Sequence, residues 1–153
     1  MSATEGDAAP DFTLPSPTGD VTLSAIEGPV VLYFYPRDDT PGCTTEAKDF
    51  TAAGREFADA GATVLGVSKD TVAKHEKFAA KHDLGVTLLS DAEGDVCERY
   101  GTWVEKNMYG KKSMGIERAT FLIDADKRIA RVWRKVKVPG HVDEVLAATR
   151  SLP

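Results

Sequence analysis

The sequence predicts an α/β sandwich in which helices flank a mixed central sheet. Three observations lead there. Pro29 to Tyr35 is an unbroken β-branched and aromatic run, as expected of a central strand buried on both faces. Further apolar runs alternate along the chain with segments of helical period, the pattern of strands connected through helices. Near the end, two strand-like runs are separated only by Asp124-Ala125-Asp126, so that pair forms a hairpin and runs antiparallel.

The elements follow in order. Residues 1–9 are small and polar and read as a loose arm. Asp11-Phe12-Thr13-Leu14 and Val21-Thr22-Leu23 alternate in polarity around the turn composition Pro17-Thr18-Gly19-Asp20, which predicts an N-terminal β-hairpin. After the strand at 29–35, the period becomes helical from about Cys43 to Ala60, with Ala47, Phe50, Gly54 and Phe57 on one inward face. Ala62 to Val67 is a second buried strand. Thr71 to His82 is a polar helix with Val72, Phe78 and Ala79 as its sparse apolar contacts. Val86 to Leu89 is a third strand and Glu93 to Tyr100 a short helix. Arg118 to Ile123 and Ile129 to Val138 form the late hairpin. A last helix follows Gly140, with Val142, Val145, Leu146 and Leu152 on one side. This order suits a thioredoxin-like core with an N-terminal addition. No repeat, low-complexity tract or linker composition divides the chain, so residues 1–153 read as one domain.

Composition narrows the function classes. A chain of 153 residues buries roughly 68–70% of its unfolded surface, so no staple or metal is required for folding. Nineteen Lys and Arg against 24 Asp and Glu leave a net charge of −5, which repels a phosphate polymer and argues against a nucleic-acid partner. The basic run Lys127, Arg128, Arg131, Arg134, Lys135 and Lys137 lies on the late hairpin and reads as protection of an exposed edge. The longest apolar run, Val30 to Tyr35, is far short of the ~20 residues that cross a bilayer. Residues 1–20 are interrupted by Asp7, Asp11 and Asp20 and lack the form of a secretory signal. Two cysteines, Cys43 and Cys97, make no disulfide framework, which points to a reducing, cytoplasmic compartment.

The most informative stretch is Tyr35-Pro36-Arg37-Asp38-Asp39-Thr40-Pro41-Gly42-Cys43-Thr44-Thr45-Glu46, between a buried strand and an amphipathic helix. Open α/β folds place their sites at such strand ends. Cys43 falls in the first helical turn, where unpaired N–H groups and the positive end of the dipole favour a thiolate. The Thr40 hydroxyl and the turn's N–H groups are candidate donors to charge developing on a substrate. Pro41 has no N–H and stiffens the loop over the sulfur.

This segment resembles the active-site loop of peroxiredoxins, in which Pro, Thr and Cys fall at the spacing of Pro36, Thr40 and Cys43. Thr40-Pro41-Gly42-Cys43-Thr44, with Glu46-Ala47 following, is similar to the bacterioferritin-comigratory, or PrxQ, subfamily. The resemblance runs from Ala9-Pro10-Asp11-Phe12 through Leu89-Ser90-Asp91 to the segment Gly115 to Asp124. It implies a thioredoxin-like fold of peroxiredoxin type and a thiol-dependent peroxidase acting on hydrogen peroxide or small organic hydroperoxides. Its catalytic residues would be Cys43, Thr40 and Arg118, in a loop shaped by Pro36, Pro41 and Gly42. It implies no metal, haem or flavin. The reductant would be thioredoxin, a glutaredoxin-like protein or a low-molecular-weight thiol, and the protein a monomer or weak homodimer.

One departure stands out. Many members of the subfamily carry a resolving cysteine five residues after the first, where this chain has Lys48, and others carry it in the next helix, which has none here. Cys97 is the remaining candidate, but packing with Val96 and Tyr100 on one helical face explains it without chemistry and is the reading preferred. The sequence therefore points to a one-cysteine cycle. No Cys-x-x-Cys is present, which disfavours a dithiol oxidoreductase. His75 and His82 share a helical face among Lys74, Glu76, Lys77 and Lys81 and read as solvated rather than as metal ligands. Gly110-Lys111-Lys112-Ser113 lacks the residues of a phosphate loop. The rival to an enzyme is a catalytically silent thioredoxin-fold sensing or interaction module.

Overall fold

The computed structural model describes residues 3–153. The chain begins with a hairpin of β1 (Thr13–Ser16) and β2 (Gly19–Thr22), followed by a 3-10 turn at Leu23–Ala25. Then come β3 (Val30–Phe34), α1 (Pro41–Ala52), α2 (Gly54–Asp59), β4 (Thr63–Ser68), α3 (Val72–His82), β5 (Thr87–Ser90) and α4 (Val96–Arg99). A second hairpin pairs β6 (Trp103–Met108) with β7 (Lys111–Ile116). The chain closes with β8 (Ala119–Ile123), β9 (Ile129–Trp133) and α5 (His141–Arg150).

Five strands form the central sheet in the order β5-β4-β3-β8-β9. Strand β3 runs parallel to β4, and β4 parallel to β5; β8 is antiparallel to both β3 and β9. The sheet is mixed, as the sequence predicts. Every residue of β3 is fully buried, and the period of two along it sorts the molecule into two cores. Val31, Tyr33 and, just beyond, Tyr35 pack with Cys43, Ala47, Phe50, Phe57, Phe78 and Leu122. Val30, Leu32 and Phe34 pack on the other side with Phe12, Leu65, Val67, Cys97, Tyr100 and Phe121. The two cysteines thus belong to cores on opposite sides of one sheet.

The structure departs from the sequence reading in several places. The helix expected from Cys43 to Ala60 starts at Pro41 and breaks at Ala53 into α1 and α2; Gly54, a poor helix former, sits at the break. The hairpin β6–β7 was not expected. The last strand ends at Trp133 rather than Val138, and Lys135 has a positive φ of 47° that no strand sustains. The arm expected to be loose is tied down over its described residues. Gly6 N–H donates to Ile129 O, Ile129 N–H to Asp7 O and Ala9 N–H to Lys127 O, each within 2.9 Å. Backbone pairing with the otherwise open edge of β9 is the reason, and it adds to the protection expected from the basic residues there. His75, expected in solvent, is fully buried.

Candidate active site

The site forms where β3 ends and the chain turns into α1. Thr40 is extended (φ −93°, ψ 155°), as a residue before proline must be, and Pro41 takes the first helical position, where a missing N–H costs nothing. The first helical bond runs from Thr44 N–H to Thr40 O at 2.8 Å. Gly42 and Cys43 therefore carry N–H groups without an intrahelical partner, at the positive end of the helix. Cys43 is 1% exposed.

The antiparallel register of β3 on β8 pairs Phe34 with Ala119. That places Arg118, immediately before β8, beside the end of β3 and over the start of α1. Its Nη2 lies 3.4 Å from Cys43 Sγ, and its Nη1 donates to Glu46 Oε1 at 2.6 Å. A Cβ on Gly42 would come within 3.1 Å of that Nη2, so a glycine leaves the guanidinium room to reach the sulfur. Burial opposes the charge on Arg118, but Glu46 and Cys43 outweigh it and hold the guanidinium more firmly charged. Glu46 is itself fully buried and its Oε2 has no partner. Burial pushes its carboxyl up to about 7 against the pull of Arg118.

Thr40 differs from its expected part. Its Oγ1 donates to Arg37 O at 3.0 Å, so the hydroxyl turns lone pairs, not its proton, toward other partners. Pro36, Arg37 and Thr40 border a cleft of about 670 Å³, whose far wall is the β6–β7 hairpin through Trp103 and Ile116.

The structure brings Cys43, Arg118, Thr40, Pro36, Pro41 and Gly42 together in one place and leaves Cys97 out of it. Cys97 lies on α4 in the other core, fully buried. Its N–H donates to Asp91 Oδ2 at 2.8 Å, and burial together with the Asp91 charge pushes its thiol far up. Glu46 entered the sequence reading only as part of the motif, with no role at the sulfur, although its place three residues after Cys43 puts both on one helix face. Among the described residues no group of three potential ligands is placed to hold a metal. Among the same residues no helix is long and apolar enough to cross a membrane.

Residues 5–132 match the model of the AhpC/TSA family. The chain belongs to the AhpC/TSA family. Within it, the chain is 53% identical over 148 residues to a putative peroxiredoxin bcp of Coxiella burnetii, spanning 95% of this chain and 98% of that one. It is 47% identical over 154 residues to the peroxiredoxin Bcp of Bacillus subtilis, spanning 99% and 98%. Among solved structures it resembles the bacterioferritin comigratory protein of Xanthomonas campestris, with a TM-score of 0.88, 44% identity and coverage of 99% and 97%. That protein is described as having alkyl peroxide reduction activity. This AhpC/TSA member is accordingly a peroxiredoxin of the Bcp (PrxQ) kind, with the thioredoxin-like fold and thiol-dependent peroxidase activity.

Proposed function

We propose that Cys43 is the peroxide-attacking residue, that Thr40 and Arg118 act on the substrate with it, and that the cycle uses one cysteine. The observation that carries the reading is the guanidinium of Arg118, 3.4 Å from a buried sulfur at the positive start of a helix. The Cys43 thiolate attacks one oxygen of hydrogen peroxide or a small organic hydroperoxide. The O–O bond breaks, the other oxygen leaves as water or alcohol after taking a proton, and Cys43 becomes a sulfenic acid. With its proton given to Arg37 O, Thr40 accepts from the peroxide O–H and aims the distal oxygen at the sulfur. Arg118 and the free N–H groups of α1 stabilise charge on the oxygens as the bond breaks.

An external thiol then condenses with the sulfenic acid, releasing water and leaving a mixed disulfide that a second thiol reduces. The burial of Cys97 in the opposite core and the lysine at position 48 support a cycle without an internal resolving partner. Thioredoxin, a glutaredoxin-like protein or a low-molecular-weight thiol fits this role. The reading is of a single cytoplasmic domain, a monomer or weak homodimer, acting without metal or cofactor and without nucleic acid or membrane.

Cys43→Ser tests the assignment. It should abolish peroxide turnover and leave the circular dichroism spectrum and melting temperature near those of the wild type. Turnover retained in the serine variant would contradict it.

A further inference from the structure

Beneath the active-site loop lies a buried polar cluster that the reaction just described does not use. His75 on α3 is fully buried, and the Asp38 side chain is 5% exposed. His75 Nε2 is 2.9 Å from Leu89 O, and Nδ1 is 2.6 Å from Asp38 Oδ2. Tyr35 hydroxyl donates to Asp38 Oδ1 at 2.6 Å, and Asp38 N–H donates to Asp70 Oδ2 at 2.8 Å. A carbonyl only accepts, so Nε2 carries a proton. The short Nδ1–Oδ2 contact needs a second proton between the two atoms. Whether that proton sits on nitrogen or on oxygen, the His75–Asp38 pair is neutral overall and both residues are satisfied. Burial pushes the Tyr35 hydroxyl well above its usual range, so it remains a donor.

The cluster joins four parts of the chain: the end of β3 through the adjoining Tyr35, the loop through Asp38, α3 through His75 and β5 through Leu89. The next residue, Asp39, adds an exposed tie to the same helix through Lys81 at 2.7 Å and His82 at 2.8 Å. Helix α3 already packs on this core through Phe78, so attachment alone does not call for buried polar groups. Apolar residues can replace a buried ion pair with no loss of stability, whereas a hydrogen-bonded pair admits one geometry. The held segment, Pro36 to Thr40, sets where α1 and its sulfur begin.

We propose that His75 and Asp38 are a positioning pair for the peroxide reaction, fixing the loop that presents Thr40 and Cys43 to the substrate. The proposal rests on Cys43 as the attacking residue. Displacement of a reacting group by about an ångström costs on the order of 100-fold in rate, so releasing the loop should be felt in chemistry.

The test is the single-turnover loss of the Cys43 thiol on mixing with hydrogen peroxide, set beside its alkylation by iodoacetamide. Asp38→Asn can accept from Tyr35 and donate to a neutral imidazole, so it should stay within about 3-fold of the wild-type peroxide rate. Asp38→Ala and His75→Leu should each slow peroxide by about 10-fold or more while alkylation changes by less than about 3-fold. His75→Leu is compared at a temperature where it is fully folded, so that slowed peroxide with unchanged alkylation reads positioning rather than lost stability. Tyr35→Phe removes one hydroxyl and keeps the packing; an expected slowing of about 5-fold, outside the band allowed to Asp38→Asn, carries the test if the other variants do not fold. Wild-type peroxide rates in the folded variants, or equal losses with both reagents, would overturn the proposal. A wild-type protein whose Cys43 ignores peroxide would overturn the assignment of Cys43 instead.

Discussion

Thr40 and Glu46 separate what single residues contribute to the sulfur's chemistry. Thr40→Val keeps the shape of the side chain and removes the lone pairs that, under the proposed mechanism, receive the peroxide O–H. It should slow peroxide reduction on the order of 100-fold and alter alkylation by a neutral reagent far less; equal losses would reduce Thr40 to a tuner of the thiolate. Glu46 gives a pH signature. Its carboxyl titrates at about 7 in the folded chain against 4.5 ordinarily. Between those values the folded state binds the extra proton, so this group makes stability fall as pH rises. Glu46→Gln does not titrate. Denaturation at about pH 5 and about pH 8 should therefore show the wild type losing stability relative to the variant on going up; a constant difference would contradict the shift. Cys43 and Thr40 stood out in the sequence because of their residue types at a strand–helix junction, and Arg118 only through the resemblance to a known family; the structure places the Arg118 guanidinium at the sulfur. Glu46 and His75 did not stand out, because charged residues on amphipathic helices normally face water, and only tertiary packing buried these.

At the scale of elements, the strands that hydrophobic runs specify best are observed, since β3 and β8 are buried throughout and β4 from Leu65 onward. The β6–β7 hairpin shows the limit of that signal. Its middle pairs Lys106 with Ser113 and Asn107 with Lys112, so neither face alternates in hydrophobicity. What closes it is a two-residue turn at Tyr109 and Gly110, both with positive φ (54° and 80°), and Tyr-Gly is a weaker turn signature than Asn-Gly. Among its described side chains, only those at one end, Trp103 and Ile116, reach the core. Between β3 and β4, Tyr33 is paired with Gly66, and a Cβ on Gly66 would lie 2.7 Å from the Tyr33 ring. The ring is fully buried and stacked on Phe50 at 4.5 Å, so it has little room to move. Gly66→Ala should therefore cost about 1–3 kcal/mol in chemical denaturation; an unchanged midpoint would show that the ring yields freely.

At the scale of the molecule, the central sheet separates the two cysteines. Cys43 packs with Tyr33 and Tyr35 on one side, and Cys97 with Phe34 and Tyr100 on the other. A disulfide needs Cα atoms within about 7 Å, so joining them would require α1 or α4 to leave its core. This separation was invisible in the sequence, which offered Cys97 as the one remaining partner without saying which face it occupied. Under the proposed cycle, Cys97→Ser should keep most of the activity with a suitable thiol donor, and excess peroxide should drive Cys43 on to the sulfinic acid. The most direct measurement is a non-reducing mass spectrum of the wild-type chain after one equivalent of hydrogen peroxide. The account predicts the gain of one oxygen, located on the Cys43 peptide, with Cys97 still a free thiol. Loss of two hydrogens with Cys43 and Cys97 in one disulfide-linked peptide would contradict it.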